Sequence, residues 1–568
     1  MKSGLKKVIS GVACMAVAVS SMTMPGNLVA DAVNIENVVP VSATNSGTLE
    51  NGLNYKIYQD HVEITGCGES AENEMVIPDT IEGLSVTSIG ERAFEDCSFL
   101  KSITISDGVT SIGEHAFDDC SSLESITIPD SVTSIGAGAF SNCSSLESVT
   151  IPDNVTSIKE YAFSYCKSLT SITIPENVTS IEKCAFIYCK SLTSITIPNN
   201  VTNIGDVTFS SCEALTAIYV EPENQNYMDI DGVLFSKDQE TLVVYPAGKP
   251  DQSYLISDSV TSIGDSAFSH CTALESITIP DSVTSIGEEA FWDCSSLTSI
   301  TIPDSVTSIG EKAFWDCSSL TSITIPDSVT KIGDSVFSHC TALESITIPD
   351  SITKIGESAF YGCSSLTSVK LSNHITSIEK KAFSNCTALE FITIPESVKS
   401  IGENAFSSCS ALEFITIPES VKSIGGWAFS NCSSLESITI LNADCEIYNA
   451  DYYFGEWTIS DTAVIYGYPG STARAYAIKY KRKFVALDEN QDITDQEILW
   501  GDANDDGTVD ISDVVLMNRV YVGVDEINAE GLKNADVDQS GKIELADSMN
   551  ILKLLVHLLE SSDFPIQA

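Results

Sequence analysis

A 23-residue period governs this chain. Cysteines stand at positions 97, 120, 143, 166, 189 and 212, and again at 271, 294, 317, 340, 363, 386, 409 and 432, each 23 residues from the last within its run. Around each recur the words L-x-S-I-T-I-P-D-S-V-T-S-I-G-E-x-A-F-x-x-C, as in residues 277–299, ITIPDSVTSIGEEAFWDCSSLTS. A unit this short cannot enclose a core of its own, so it must stack on its neighbours as a solenoid. The S-I-T-I piece alternates polar and apolar residues and reads as a short strand with Ile facing inward. Pro ends it, V-T-S-I-G supplies a second inward pair and a turn, and A-F fills the interior from an irregular or helical arc. Fourteen such units are visible. At about 4.8 Å per rung they form a spine of roughly 67 Å.

Charge narrows the partners. The 568 residues include 79 acidic against 29 basic, a net charge of −50. Nucleic acid and anionic membrane surfaces both need a basic footprint that this chain lacks. An acidic chain suits calcium, basic partners or simple solubility. Residues 1–32 read as a secretory signal peptide: Lys2, Lys6 and Lys7 precede an apolar run from Val8 to Val19, with small residues at Ala30 and Ala32 for cleavage. The mature protein is therefore expected outside the cell, without membrane insertion. In that compartment cysteines often pair. A column of fourteen at one repeat position reads instead as buried thiols bonding to turn backbone. Its spacing is not a zinc pattern. Cys67, Cys184 and Cys445 lie off the column, and their pairing stays open.

The repeat surface is chemically quiet. Ser276, Ser299 and Ser322 run beside Thr278, Thr301 and Thr324 on the outward strand face, where nothing titrates near neutral pH. Phe391 and Phe414 break the Ser column on adjacent rungs and make a small apolar patch. Trp292 and Trp315 share one repeat position, with Tyr361 two rungs on; Tyr165 and Tyr188 form a similar pair. Two readings stand for these rings: stacking on flat ligands such as sugars, or covering the solenoid flank. His270 and His339 sit beside their column cysteines but three rungs apart, which suits repeat-position polar residues better than Cys–His dyads. No G-x-S-x-G, H-E-x-x-H or phosphate loop is present, so the chain is read as non-catalytic.

The C-terminal segment carries the clearest chemistry. Residues 502–513 read DANDDGTVDISD, and residues 536–547 read DVDQSGKIELAD, 34 positions later. Counted one to twelve, the first loop offers Asp502, Asn504, Asp506, the Thr508 carbonyl, Asp510 and Asp513. The second offers Asp536, Asp538, Ser540, the Lys542 carbonyl, Glu544 and Asp547. Gly507 and Gly541 allow the sharp turn at position six. Calcium takes six to eight hard oxygens, and this spacing wraps one ion with them, so two Ca²⁺ ions are expected. Apolar helices are expected to follow each loop, over Val514–Tyr521 and Ser548–Leu559.

These words resemble two families. The repeats are similar to bacterial leucine-rich-repeat proteins of the BspA-like type, and the duplicated loop-then-helix module resembles the type I dockerin. The resemblance implies a leucine-rich-repeat solenoid plus a small all-α calcium-binding dockerin domain. Its layout is a linker over 33–49, an N-terminal cap and first repeat over 50–96, repeats over 97–216 and a hairpin insert over 217–258. Repeats resume over 259–445, followed by a C-terminal cap over 446–487, a linker over 488–499 and the dockerin over 500–560. It further implies a scaffold cohesin as partner. That partner would be met by Ile511, Ser512, Asn518 and Arg519 in the first half and by Leu545, Ala546, Leu552 and Lys553 in the second. Leu545 and Leu552 are equally candidates for the module's own core. The expected function is a secreted, non-catalytic cellulosome component whose repeats bind protein, a surface or polysaccharide. The alternatives are an accessory protein or hydrolase of polysaccharide catabolism, or a structural spacer.

Overall fold

The computed structural model describes residues 46–68, 71–448, 457–487, 511–521, 535 and 545–555. Each 23-residue unit makes one turn of a solenoid, and most turns join two short parallel ladders. In the first, Ser276, Ser299 and Ser322 pair in register; in the second, Ser262, Ser285 and Ser308 do. Alternation explains the faces. Ile300 and Ile302 point inward while Ser299 and Thr301 stay exposed. One turn contributes nine buried side chains: Ile300, Ile302, Pro303, Val306, Ile309, Ala313, Phe314, Cys317 and Leu320. Serine hydroxyls tie successive turns together at the corner after Pro, as where Ser305 Oγ donates to the Val283 carbonyl at 2.7 Å.

The arc holding A-F is irregular rather than helical. Two left-handed residues per turn shape it, Lys312 (φ 53°) and Asp316 (φ 59°) in one unit, Glu289 (φ 55°) and Asp293 (φ 54°) in the one before. This geometry sends backbone N–H groups along the spine. Lys312, Phe314 and Asp316 donate to the carbonyls of Asp334, Val336 and Ser338 at 2.9, 2.9 and 2.8 Å. The arc thus forms a third ladder, which leaves few buried amides unpaired.

Thirteen of the column cysteines are free and buried. Cys317 Sγ donates to the Phe291 carbonyl at 3.2 Å, and Cys294 and Cys340 repeat the bond one turn away on either side, at 3.1 and 3.2 Å. Cys97 corrects the expectation of a column of thiols alone: it forms a disulfide with Cys67. As the first of the column it has no earlier Phe carbonyl to bond. The Phe side chains stack face to face beside the cysteines, Phe291 on Phe314 at 5.1 Å and Phe314 on Phe337 at 5.6 Å between ring centroids.

Between the two repeat runs, strands Tyr227–Ile230 and Val233–Ser236 form a hairpin. Its two-residue turn, Asp231 (φ 51°) and Gly232 (φ 78°), has the positive dihedrals that match strand twist. Strand Thr241–Val244 returns the chain to the solenoid by pairing in parallel with Ser262–Ile263. Tyr245 then takes the place of a Phe in the stack, 5.2 Å from Phe268. The apolar core is divided here. Leu234 belongs to the core before the hairpin, while its neighbours Val233 and Phe235 belong to the core after it.

Both ends of the spine are covered. At the start, Leu53–Ile57 and Val62–Cys67 pair antiparallel, and the second adds in parallel to Leu84–Ile89. At the other end, strand Val464–Gly467 extends a ladder, and helix α1 (Thr472–Lys479) buries Ala473, Tyr476 and Ala477. Ser471 caps α1 by accepting from the Arg474 amide at 3.2 Å. Among the described residues no helix is long and apolar enough to cross a membrane.

Candidate binding surfaces

The Trp, Tyr and His residues singled out before the column cysteines lie on one edge of the arc and join into a single file. Tyr165 stacks on Tyr188 at 4.6 Å. Tyr188 meets His270 edge-on at 6.2 Å, and His270 lies 5.2 Å from Trp292. Trp292 stacks on Trp315 at 5.6 Å, Trp315 on His339 at 6.5 Å, and His339 meets Tyr361 at 5.1 Å. The file crosses the insert because the turn of Cys212 meets the turn of Cys271 directly on this edge, with the Ser210 and Ser269 hydroxyls 2.9 Å apart. In the sequence they stand as the group Trp292, Trp315 and Tyr361, the pair Tyr165 and Tyr188, and two separate histidines. The shared signal was position, each lying one or two residues before a column cysteine.

Within the file, the faces of Trp292 and Trp315 are turned toward each other, 17° from parallel, and both rings are half-buried. Their edges, rather than their faces, are left toward solvent. Lys312 Nζ lies 5.5 Å from the Trp315 ring centroid and 2.7 Å from Glu289 Oε1. His270 Nδ1 is 2.8 Å from Asp293 Oδ2. Burial, and then the neighbouring Asp293, raise the Asp316 carboxyl above its ordinary range. His270 and His339 each lie beside a column Cys, but those thiols are turned inward to backbone carbonyls, Cys271 to Tyr245 at 3.6 Å and Cys340 to Phe314 at 3.2 Å.

The C-terminal segment contributes helices α2 (Ile511–Tyr521) and α3 (Leu545–Leu555). Each begins three residues earlier than the apolar run suggested, so loop positions ten to twelve form the first helical turn. An acidic residue there favours the helix start through the dipole; these are Asp513 and Asp547. Both carboxylates are fully buried, a placement that demands compensating positive charge or donors. An all-oxygen donor set with a buried closing carboxylate fits a hard cation. Asp502, Asn504, Asp506, Thr508, Asp510, Asp536, Asp538, Ser540, Lys542 and Glu544 lie outside the described residues, as do positions 556–559 of the second expected helix. Val514, Met517, Ala535 and Ile551 are buried, and α2 packs against α3. Of the expected partner-contacting residues, Ser512, Leu545 and Ala546 stand in the first helical turns. Asn518 and Arg519 follow on α2, and Lys553 on α3. Ile511, Asn518 and Leu552 line a narrow cleft together with Phe391 and Phe414 of the repeats.

Comparison with known proteins adds the following. Residues 87–216, 251–367 and 330–459 match the family model described as BspA type Leucine rich repeat region, in six copies. Residues 500–555 match that of the Dockerin type I domain. Among solved structures, a leucine-rich repeat protein from Eubacterium ventriosum is 26% identical, covering 65% of this chain and 95% of its own, with a TM-score of 0.47. One from Bacteroides ovatus is 30% identical over 74% and 99%, with a TM-score of 0.39. A leucine rich cell surface protein from Faecalibacterium prausnitzii is 29% identical over 72% and 96%, with a TM-score of 0.38. No curated protein matches the chain.

Proposed function

From the premise that this chain belongs to the BspA-type leucine-rich-repeat family and carries a type I dockerin over 500–555, we propose that it is a secreted, non-catalytic component of a cellulosome-type assembly. Type I dockerins bind calcium and plug into scaffold cohesins, and leucine-rich repeats are protein-binding arrays; neither matched family is a catalytic domain. The finer reading is that cohesin docking depends on calcium and that the array delivers an adhesive surface to the assembly. The observation carrying it is the duplicated loop at 502–513 and 536–547, with each closing Asp buried at the start of a helix.

Asp502, Asn504, Asp506, Thr508, Asp510 and Asp513 would hold one ion, and Asp536, Asp538, Ser540, Lys542, Glu544 and Asp547 the second. Calcium titrated by calorimetry into the full chain should bind at two sites, and each of Asp502→Ala and Asp536→Ala should remove one. A chain that takes up no calcium at either loop would sink this reading.

For the array, the aromatic file is the best-supported contact site. Its edge-on rings suit a protein partner better than a sugar stacked on ring faces, since those faces are already used between Trp292 and Trp315. Retention on insoluble cellulose and xylan, compared with a Trp292→Ala/Trp315→Ala double variant, separates the two ligands: the protein reading expects no retention on either polymer. Hydrolysis of cellulose or xylan by the purified chain would support the rival hydrolase reading instead.

A further inference from the structure

The outward strand face changes character near the end of the array. Over the middle turns, Ser276, Thr278, Ser299, Thr301, Ser322 and Thr324 are exposed. At the same column positions further on, Phe414 is 2% exposed, Ser437 1% and Thr439 4%. At Phe414 a cleft identifies the cover: Ile511, Val514 and Asn518 of α2 and Ser548, Met549 and Leu552 of α3 line it together with Phe391 and Phe414. Lys553 Nζ lies 5.4 Å over the Phe414 ring. The two Phe residues depart from the Ser column on adjacent turns, so the array carries an apolar patch where the dockerin rests.

The contact is loosely satisfied. Asn518 Oδ1 and Ser548 Oγ, both of residues lining the cleft, are buried with no hydrogen-bond partner among the described residues, as are Ser437 Oγ and Thr439 Oγ1 one turn further on. Unpaired buried polar groups oppose the apolar gain, so the seat suits exchange rather than permanent closure. Ile511, Asn518, Leu552 and Lys553 are also residues that the dockerin resemblance assigns to the cohesin contact. One helix face cannot serve both at once.

We infer that the Phe391/Phe414 patch is an intramolecular seat for the dockerin and competes with cohesin for the same helix faces. The competition rests on the cohesin reading given above; the seat itself does not. Cohesin capture then releases the dockerin and uncovers the patch in the same step.

The test uses the full chain in calcium. In Phe391→Ser/Phe414→Ser, the residue usual for that column is restored, so the turns should keep their fold. Thr416→Lys wedges the same cleft from an outward position. Small-angle scattering should show a larger maximum dimension in both variants than in the parent. Hydrogen exchange should rise in 511–521 and 545–555 but not in the turns below. A type I cohesin should bind both variants about three- to ten-fold more tightly than the parent. Unchanged scattering and exchange in both variants would overturn the seat. A shift in both measurements without tighter cohesin binding would overturn the competition. If no form of the chain bound cohesin while scattering and exchange shifted, the cohesin reading would fall and the seat would stand.

Discussion

The column cysteine shows how one residue serves a repeated place. Sulfur fills the gap beside the Phe stack, and its weak S–H gives a second bond to a Phe carbonyl that already accepts a backbone N–H, as Phe291 does from Cys294 at 3.2 Å and from Cys317 Sγ. Burial pushes the thiols of Cys166 and Cys212 up to about 12, so they should not react with iodoacetamide at pH 8 until the chain unfolds. The pH dependence follows by linkage. The folded value lies above the unfolded value of 9.0, so the contribution is fully present below that pH and is lost as pH rises from 9 toward about 12. Melting temperature should therefore fall between pH 8 and pH 10.5, measured by circular dichroism. Cys317→Ala removes a bond and leaves a gap, at a cost on the order of 1–2 kcal/mol in chemical denaturation; Cys317→Ser, which keeps a donor, should cost less. The column's place was legible from its period. The Cys67–Cys97 bond was not, because a separation of 30 falls outside a repeat of 23.

At the scale of elements, strand Val233–Ser236 does the joining. Period-two alternation places Leu234 in one core and Val233 with Phe235 in the other. The insert thus couples two runs of turns rather than merely interrupting them. Leu234→Ala should cost about 2–5 kcal/mol. Because each turn touches only its neighbours, hydrogen exchange should rise mainly in turns up to residue 218 and leave those beyond residue 277 as they were. The hairpin was legible from Asp231–Gly232 between two apolar runs. Its double-sided packing was not, because alternation marks the faces of a strand but cannot say that both meet core. The aromatic file was hidden for a related reason. Tyr188 and His270 are 82 positions apart in the chain, and only the folded insert closes that distance. The helix starts at Ile511 and Leu545 were missed because their first turns include a loop's polar closing positions.

On the proposed reading, the whole molecule pairs a repeat array with a module whose folding is tied to an ion. Sites absent from the unfolded chain make metal binding part of folding free energy. Chelation should therefore raise hydrogen exchange in 511–521 and 545–555 while the ladders of the array keep their protection. A net charge of −50 also predicts that added salt, which screens self-repulsion, raises the melting temperature. Attachment by cohesin remains the claim from which the rest takes its meaning. It is tested most directly by calorimetric titration of a type I cohesin into the full chain, first in calcium and then after chelation. One cohesin per chain should bind in calcium, with no heat of binding without it. Equal binding in both conditions, or none in either across a panel of type I cohesins, would contradict it.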